Sequence, residues 1–233
     1  GFAQRAREEV TELIESARGD GVGVTMLAGN HDPRISDLRH LSLAGDSVLL
    51  THGDALHPAL APWAPEARHI RAAHDRAVAE LPAEARDDLM SRLRAAETAA
   101  FAEWAEYPHP DRGSTLRRSL RHPMLVPTVL WYWAQVPTLA ARFLATYAPE
   151  ARVLIFGHTH RHGFWHRRGR LLVNTGCFDF PGRPWAVALE DTTLTVRRIR
   201  GRRDDRAYRL ARRPTHVMHL PRPIGASELP RPS

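Results

Sequence analysis

Three short polar signatures hold the residues of this chain that are best suited to bind a metal ion. They are Gly29-Asn30-His31-Asp32, His52-Gly53-Asp54 and Gly157-His158-Thr159-His160. Together they offer four histidines, one asparagine and two aspartates, which are side chains that bind and surround hard or borderline divalent cations. The signatures therefore predict a metal site, with an imidazole beside it that is available for proton transfer.

Each signature directly follows a short apolar run, which predicts where the three loops lie. The runs are residues 24–27, 48–51 and 153–156, and each is typical of a short buried strand. In open α/β sheets, ligand sites gather at the carboxyl ends of the strands. We therefore expect the three signatures to meet at one edge of a sheet.

The spacing within the signatures suggests individual roles. His158 and His160 are two residues apart, so in an extended segment they would point the same way and reach one metal or two adjacent metals. Asn30 can bind through its amide oxygen, His31 can act as a general acid, and Asp32 can orient and charge-stabilise that imidazole. Two other interpretations stay open: Asn-His-Asp also suits a turn or helix cap, and His52 also suits a core position.

The three signatures, in this order, resemble the calcineurin-like metallophosphoesterase superfamily. The resemblance covers roughly residues 20–60 and 150–200. It implies an α/β fold in which a β-sandwich is flanked by helices and holds two divalent metals. It also implies that a hydroxide bridging the metals attacks phosphorus in line, which agrees with general two-metal chemistry.

The resemblance also implies roles for particular residues. Asn30, His52 and His158 would bind the second metal, and His160 would bind the first. His31 would protonate the leaving oxygen, with Asp32 in support. Manganese is the expected ion and iron, zinc and magnesium are alternatives, because sites built from His, Asn and Asp overlap in preference. The turn at 174–176 resembles a turn that follows the site in the family, and we assign it no chemistry.

One departure from the family pattern is large. The family has an upstream D-x-H and then a G-D-x-x-D, which supply most ligands of the first metal and the bridging aspartate. Neither pattern occurs in this chain, and Asp20 is the only aspartate or histidine before Gly29. We therefore expect this chain to be a fragment that lacks an N-terminal segment and is itself inactive. A pseudoenzyme that lost these motifs is the alternative.

The remaining pattern predicts the secondary structure around the signatures. A helix is expected at 3–18, and a loop at 33–46. The expected strands are 23–28, 47–51, 152–156, about 163–166, 170–174, 184–190 and 193–198, with a hairpin turn at 190–192. We predict three parts: a partial metallophosphoesterase core at 1–57 and 150–200, a helical insertion or cap at 58–149, and a basic, proline-rich, disordered tail at 201–233, with disorder clearest at 214–233.

An uncharged, largely apolar stretch at 123–141 lies within the insertion. Three interpretations stay open: a buried helix pair, an apolar lid that contacts the membrane peripherally, and a membrane span. A long insertion at this place most resembles the UDP-diacylglucosamine hydrolases of lipid A synthesis, in which it caps the site and holds acyl chains. That resemblance implies a phosphate ester or pyrophosphate substrate that is amphiphilic or lipid-linked.

Charge and cysteine content constrain the partners and the compartment. The 233-residue chain has a formal net charge of +7, and it contains no lysine. Residues 197–213 hold nine arginines and two aspartates, a net of +7, so the rest of the chain sums to zero. This local run favours a solvated or lipid-facing tail over a nucleic-acid site. The single cysteine, Cys177, excludes an internal disulfide and fits a cytoplasmic location. The apolar stretch and the arginines add the expectation of peripheral contact with the membrane.

These observations predict a metal-dependent phosphoesterase. Two alternatives have different bases. A nuclease or nucleotide phosphodiesterase is suggested by the arginines of 197–213. A non-catalytic module that binds a membrane surface or a partner is suggested by the apolar stretch, the basic tail and the missing ligands.

Overall fold

A computed structural model describes residues 2–62, 64, 66–106, 124–178, 182–202 and 207–222. The α-helices are α1 (Phe2–Gly19), α2 (Ala67–Ala79), α3 (Leu89–Glu106) and α4 (Leu125–Tyr147), with short 3₁₀ helices at Asp54–Leu56 and Ala83–Ala85. The strands are β1 (His40–Leu43), β2 (Val48–Thr51), β3 (Val153–Phe156), β4 (Gly163–Arg167), β5 (Arg170–Asn174), β6 (Trp185–Glu190), β7 (Thr193–Arg202), β8 (Ala207–Leu210) and β9 (His216–His219). The chain is therefore of the α/β class, as its sequence predicts.

The strands form two sheets. The first has the order β1-β2-β3-β5-β4, in which β2, β3 and β5 are parallel and the outer strands β1 and β4 are antiparallel. In the second, β6, β8 and β9 all pair with the long strand β7. The central strand β3 is buried along its whole length, as expected for a parallel strand that is covered on both faces.

Each face of the first sheet packs against a different layer. One face meets the second sheet, where Val48, Ile155 and Val173 belong to the same buried cluster as Leu194 and Val196. The opposite face packs against the helices α2, α3 and α4. The strands contribute Leu49, Leu154, Phe156 and Leu172 to this contact, and the helices contribute Ile70, Leu93, Tyr132, Val136 and Leu144. Alternation of side chains along each strand produces this division, because neighbouring residues point to opposite faces.

This topology brings the second and third signatures together. Strands β2 and β3 are parallel neighbours with Leu50 opposite Ile155, so the loops that follow them leave the same edge of the sheet. The backbone N–H of Gly157 donates to the carbonyl of His52 at 2.9 Å and fastens the two loops to each other. The expected meeting of these two signatures at one sheet edge is confirmed.

The first signature reaches that edge differently. The predicted strand at 23–28 is wrong, because this segment has an irregular conformation and pairs with no strand in the described part of the chain. Its backbone is held by the N–H of Ala28, which donates to the carbonyl of Leu38 at 2.7 Å. The predicted loop at 33–46 in turn contains β1, which occupies the sheet edge beside β2.

Residues 125–141 of the uncharged stretch lie on one helix, so the interpretation as a helix pair is wrong. Helix α4 runs through Pro137 and buries the face that carries Tyr132, Val136 and Leu144. Its N-terminal half also exposes large apolar side chains to solvent, namely Met124, Val126, Leu130 and Trp131. Judged by length and hydropathy, none of the described helices could cross a membrane.

The predicted disorder at 201–233 is wrong for residues 201–202, 207–210 and 216–219, which form the end of β7, β8 and β9. Strand β9 pairs with β7, with Thr193 opposite His219 and Val196 opposite His216. The following residue, Leu220, is buried in the core between the sheets, which explains why this polar segment is ordered. Residues 223–233 lie outside the described residues, so the prediction for them stays a prediction.

Candidate metal centre

Asn30 is the centre of a buried polar cluster at the sheet edge. Its amide Oδ1 lies 3.2 Å from Nε2 of His52 and 3.1 Å from Nδ1 of His158. Asn30 is 1% exposed and His158 is 8% exposed. The two imidazole rings meet edge to face, with their centroids 5.2 Å apart. The structure thus brings together the three residues that the resemblance assigns to the second metal.

The hydrogen-bond chemistry of His158 fits a cation at this place. Its Nε2 lies 3.0 Å from the carbonyl oxygen of Leu60, while its Nδ1 faces the oxygen of Asn30. Both facing atoms are acceptors, because the Asn30 amide nitrogen is committed as a donor to Glu103 at 3.2 Å. Burial, followed by the nearby His52, lowers the pKa of His158 to about 4, so the ring is neutral at pH 7 and has one N–H.

A neutral ring cannot donate to both acceptors. If Nε2–H donates to Leu60, the lone pair of Nδ1 points at the lone pairs of the Asn30 oxygen. A divalent cation would remove this conflict, since it binds an amide oxygen and an imidazole nitrogen together. Metal-binding histidines commonly donate their other N–H to a backbone carbonyl, which is the role that Leu60 would have here. The residues present therefore fit a cation.

The position of His52 depends on Gly29, the first residue of the first signature. A Cβ added at Gly29 would lie 2.6 Å from Cδ2 of the His52 ring, well inside van der Waals contact. Burial is the main cause that lowers the pKa of the His52 imidazole, while the Asp54 carboxylate opposes this shift. Burial therefore favours the neutral form of the His52 imidazole, which is the form that can bind a cation through its unprotonated nitrogen.

The third signature does not have the extended conformation that the sequence predicts. His158 and His160 both have left-handed backbone conformations, with φ of 64° and 61°, and His158 is buried while His160 is exposed. The cause lies on β5, where the amide of Asn174 donates to the carbonyl of Gly157 at 2.9 Å and to the hydroxyl of Thr159 at 2.8 Å. These bonds fold the loop, so the two histidines do not point the same way.

His31 and Asp32 lie at the solvent-exposed side of the cluster. Gly29 and Asp32 form a bridge, in which the backbone N–H of Asp32 donates to the carbonyl of Gly29 at 3.2 Å. Within the described residues, no hydrogen bond joins the Asp32 carboxylate to the His31 imidazole. The charge of His31 nevertheless contributes to lowering the pKa values of His52 and His158, so His31 lies within electrostatic reach of both.

The aspartate of the second signature is bonded to groups outside the cluster. Asp54 and Arg39 form a buried salt bridge at 2.8 Å, and the second carboxylate oxygen of Asp54 accepts from the backbone N–H of Ala55 at 2.9 Å. Two guanidinium nitrogens of Arg39, Nε and Nη1, are buried without a hydrogen-bond partner. The Asp54 carboxylate therefore supports the loop, and its charge still reaches His52 and His158.

Three residues of the insertion contact the centre, and sequence reasoning assigned none of them to it. Leu60 presents its carbonyl to His158 from a left-handed backbone conformation, with φ of 50°. Glu103 on α3 accepts from Asn30, and Trp133 on α4 donates to the carbonyl of Thr159 at 2.9 Å. No local signal identifies the first two, because each acts through a contact with a distant segment.

A second metal position is not assembled in the described part of the chain. No group of three or more His, Cys, Asp or Glu side chains suited to a metal occurs among these residues. The cluster at Asn30 contains two such side chains, His52 and His158, and its third donor is an amide oxygen. The assignment of His160 to a first metal stays a prediction.

Asn174 should contribute strongly to stability, because its side chain is fully buried and makes three hydrogen bonds. Its Oδ1 also accepts from the backbone N–H of Gly176 at 2.9 Å. We expect Asn174→Ala to lower the free energy of unfolding by roughly 2–4 kcal/mol, because buried groups lose their partners. Urea denaturation measures this, with Thr175→Ala as the control that removes one longer bond to Phe156. Equal small losses in both variants would contradict the assignment.

Stability should fall as the pH falls from about 6.5 to 4. The pKa of His158 is about 4 in the folded chain, against a reference value of 6.5. Above pH 6.5 the imidazole is therefore neutral in both the folded and the unfolded chain. Between pH 6.5 and 4 it is protonated only in the unfolded chain, so protonation favours unfolding. The largest slope from one such group is about 1.4 kcal/mol per pH unit. Urea denaturation of the chelator-treated protein at several pH values measures it. His158→Gln should have the smaller slope, and an unchanged slope would contradict this origin.

Comparison with known proteins identifies no relative. No protein-family model matches the chain, and neither does any curated protein or solved structure.

Proposed function

We propose that this chain binds a divalent cation through Asn30, His52 and His158 and forms part of a metal-dependent phosphoesterase of the calcineurin-like metallophosphoesterase type. The observation that carries the proposal is the convergence of two imidazole nitrogens on the Asn30 amide oxygen, at 3.2 Å from His52 and 3.1 Å from His158. Their order in three loops at one sheet edge adds support, because this order is the basis of the resemblance. The packing of two sheets, with helices over the first, agrees with a helix-flanked β-sandwich.

The residues around the cluster suit phosphoryl transfer to water. A bound cation supplies Lewis-acid polarisation of the phosphoryl group. His31 is exposed beside the cluster, where its imidazole can donate a proton to the leaving oxygen. Asp32 follows it in the same turn, and it is the residue that the resemblance assigns to the support of His31. Asn174 keeps the loop that carries His158 in place.

The proposed substrate is an amphiphilic or lipid-linked phosphate ester or pyrophosphate. Helix α4 exposes Leu130 and Trp131, which are 55% and 59% accessible. The same helix contacts the third signature through Trp133. Exposed apolar side chains on a helix that contacts the loop carrying His158 suit a substrate with an apolar portion. Manganese remains the proposed ion, with iron, zinc and magnesium as the alternatives.

Metal-dependent hydrolysis tests the proposal. The protein as its genome encodes it is assayed with Mn²⁺ on phosphate monoesters, phosphodiesters and lipid-linked pyrophosphates, in parallel with its His158→Gln variant. Hydrolysis that needs Mn²⁺ and is lost in the variant would support the proposal. Cation binding without hydrolysis of any substrate would favour the non-catalytic alternative instead.

A phosphodiester chain is the second candidate substrate, and a separate surface favours it. Arg200 and Arg209 lie directly opposite each other on β7 and β8, and such like-charged pairs are destabilising unless an anion lies near. The exposed rings of Phe178 and Tyr208 meet 5.0 Å apart on the same part of the molecule. Affinity for a single-stranded oligonucleotide that falls steeply with salt would favour this candidate.

A further inference from the structure

The Asn30 amide has two ends of similar shape and opposite chemistry. Its oxygen faces His52 and His158, and its nitrogen lies 3.2 Å from Oε2 of Glu103. Shape alone does not distinguish the two ends, so hydrogen-bond partners decide which end faces which neighbour. If the amide were turned over, its nitrogen would face the histidines and no cation could bind there.

Glu103 is the hydrogen-bond partner that distinguishes the nitrogen of the Asn30 amide from its oxygen. It lies on α3, 73 residues after Asn30, and its carboxylate only accepts hydrogen bonds. We propose that Glu103 is a positioning residue that turns the Asn30 oxygen toward His52 and His158, so that the helical insertion completes the cation site. This inference rests on the proposed function, because it concerns the same cation.

The insertion is well fixed for this role. On the same helix, Arg92 is buried and donates two hydrogen bonds, of 3.0 and 2.7 Å, to the carbonyl of Ala55, directly after the second signature. Phe101 lies beneath the guanidinium of Arg34, 5.5 Å from the ring centroid, just after the first signature. Helix α3 is therefore held against the segments that carry Asn30 and His52. These contacts keep the Glu103 carboxylate within hydrogen-bond distance of the Asn30 amide nitrogen.

A double-substitution experiment separates the effect of Glu103 on the orientation of the Asn30 amide from its effects on charge and stability. Mn²⁺ affinity is measured by calorimetry for the wild type, Glu103→Lys, Asn30→Asp and the combined variant, with the exposed Glu84→Lys as the charge-matched control. A lysine at 103 can only donate, so it favours the reversed amide, and we expect affinity to fall by about tenfold or more. The carboxylate of Asn30→Asp presents an oxygen to the histidines in either orientation. Glu103→Lys should therefore not weaken Mn²⁺ binding in the Asn30→Asp background.

Equal losses in both backgrounds, or a loss in neither, would overturn the proposal. Thermal unfolding of the metal-free variants identifies any that fail to fold, and Glu103→Ala then replaces Glu103→Lys in the same comparison. NMR separates this inference from the proposed function: in the metal-free protein, the side-chain amide protons of Asn30 should exchange slowly, and faster in Glu103→Ala. If the wild type binds no Mn²⁺ the proposed function fails, while unchanged exchange in Glu103→Ala overturns the positioning role itself.

Discussion

Replacing Asp54 with alanine is expected to lower the free energy of unfolding by about 3–5 kcal/mol, because it leaves a buried arginine without its counter-ion. Arg39 and Asp54 are 6% and 1% exposed, and they lie 2.8 Å apart. The only other carboxylate near Arg39 among the described residues is that of Glu97, 4.0 Å from Nη1. Denaturant unfolding at pH 7 measures the loss.

Two controls define the origin of that loss. Arg71 pairs with Asp75 at 3.3 Å, but both are more than half exposed, so Arg71→Ala should cost less than about 1 kcal/mol. The combined variant Arg39→Met with Asp54→Ala should recover much of the stability, since it removes the buried charge as well. A loss at Asp54→Ala no larger than that at Arg71→Ala would show that the buried pair is not a major contribution.

Replacing Gly29 with alanine should disrupt the cation site, although it adds only one methyl group. The new methyl group would overlap the His52 ring, which would have to leave its position beside Asn30. We expect a loss of about 1–3 kcal/mol from overpacking, together with loss of Mn²⁺ binding. Calorimetric titration with Mn²⁺ and thermal unfolding measure the two effects.

Gly157 provides a matched control for Gly29, because it also begins a signature at the end of an apolar run. A Cβ there would lie 3.6 Å from the Thr175 hydroxyl and 3.7 Å from the carbonyl of His52, which are ordinary contacts. Gly157→Ala should therefore keep Mn²⁺ binding. If the two alanine variants behaved alike, the close approach of Gly29 to His52 would not be what positions the imidazole.

The sequence predicts the central strands well because their signal is local. The short apolar runs at 48–51, 153–156 and 171–173 all lie in strands in the middle of the first sheet. The run at 24–27 is similarly apolar, yet it lies outside the sheet, because a strand also needs a neighbour to pair with. In the opposite direction, β9 forms from a segment without a strong apolar pattern, because it pairs with β7.

For the candidate site too, the sequence predicts some features and not others. The types and order of Asn30, His52 and His158 predict that they converge, and they do. The turn at His158 and His160 depends on Asn174 of a different strand, so no local pattern indicates it. Glu103 lies in the predicted helical insertion, and the sequence does not indicate which distant loop lies opposite it. Contacts made across the fold are therefore what the sequence alone did not predict.

Calorimetric titration of the chelator-treated chain with Mn²⁺ tests the central claim most directly. We predict that the wild type binds one cation per chain and that His158→Gln does not bind it within the range of the titration. His166→Gln, which replaces an exposed histidine on β4, should bind as the wild type does. Absence of binding by the wild type, or equal binding by all three proteins, would contradict a cation site at Asn30, His52 and His158.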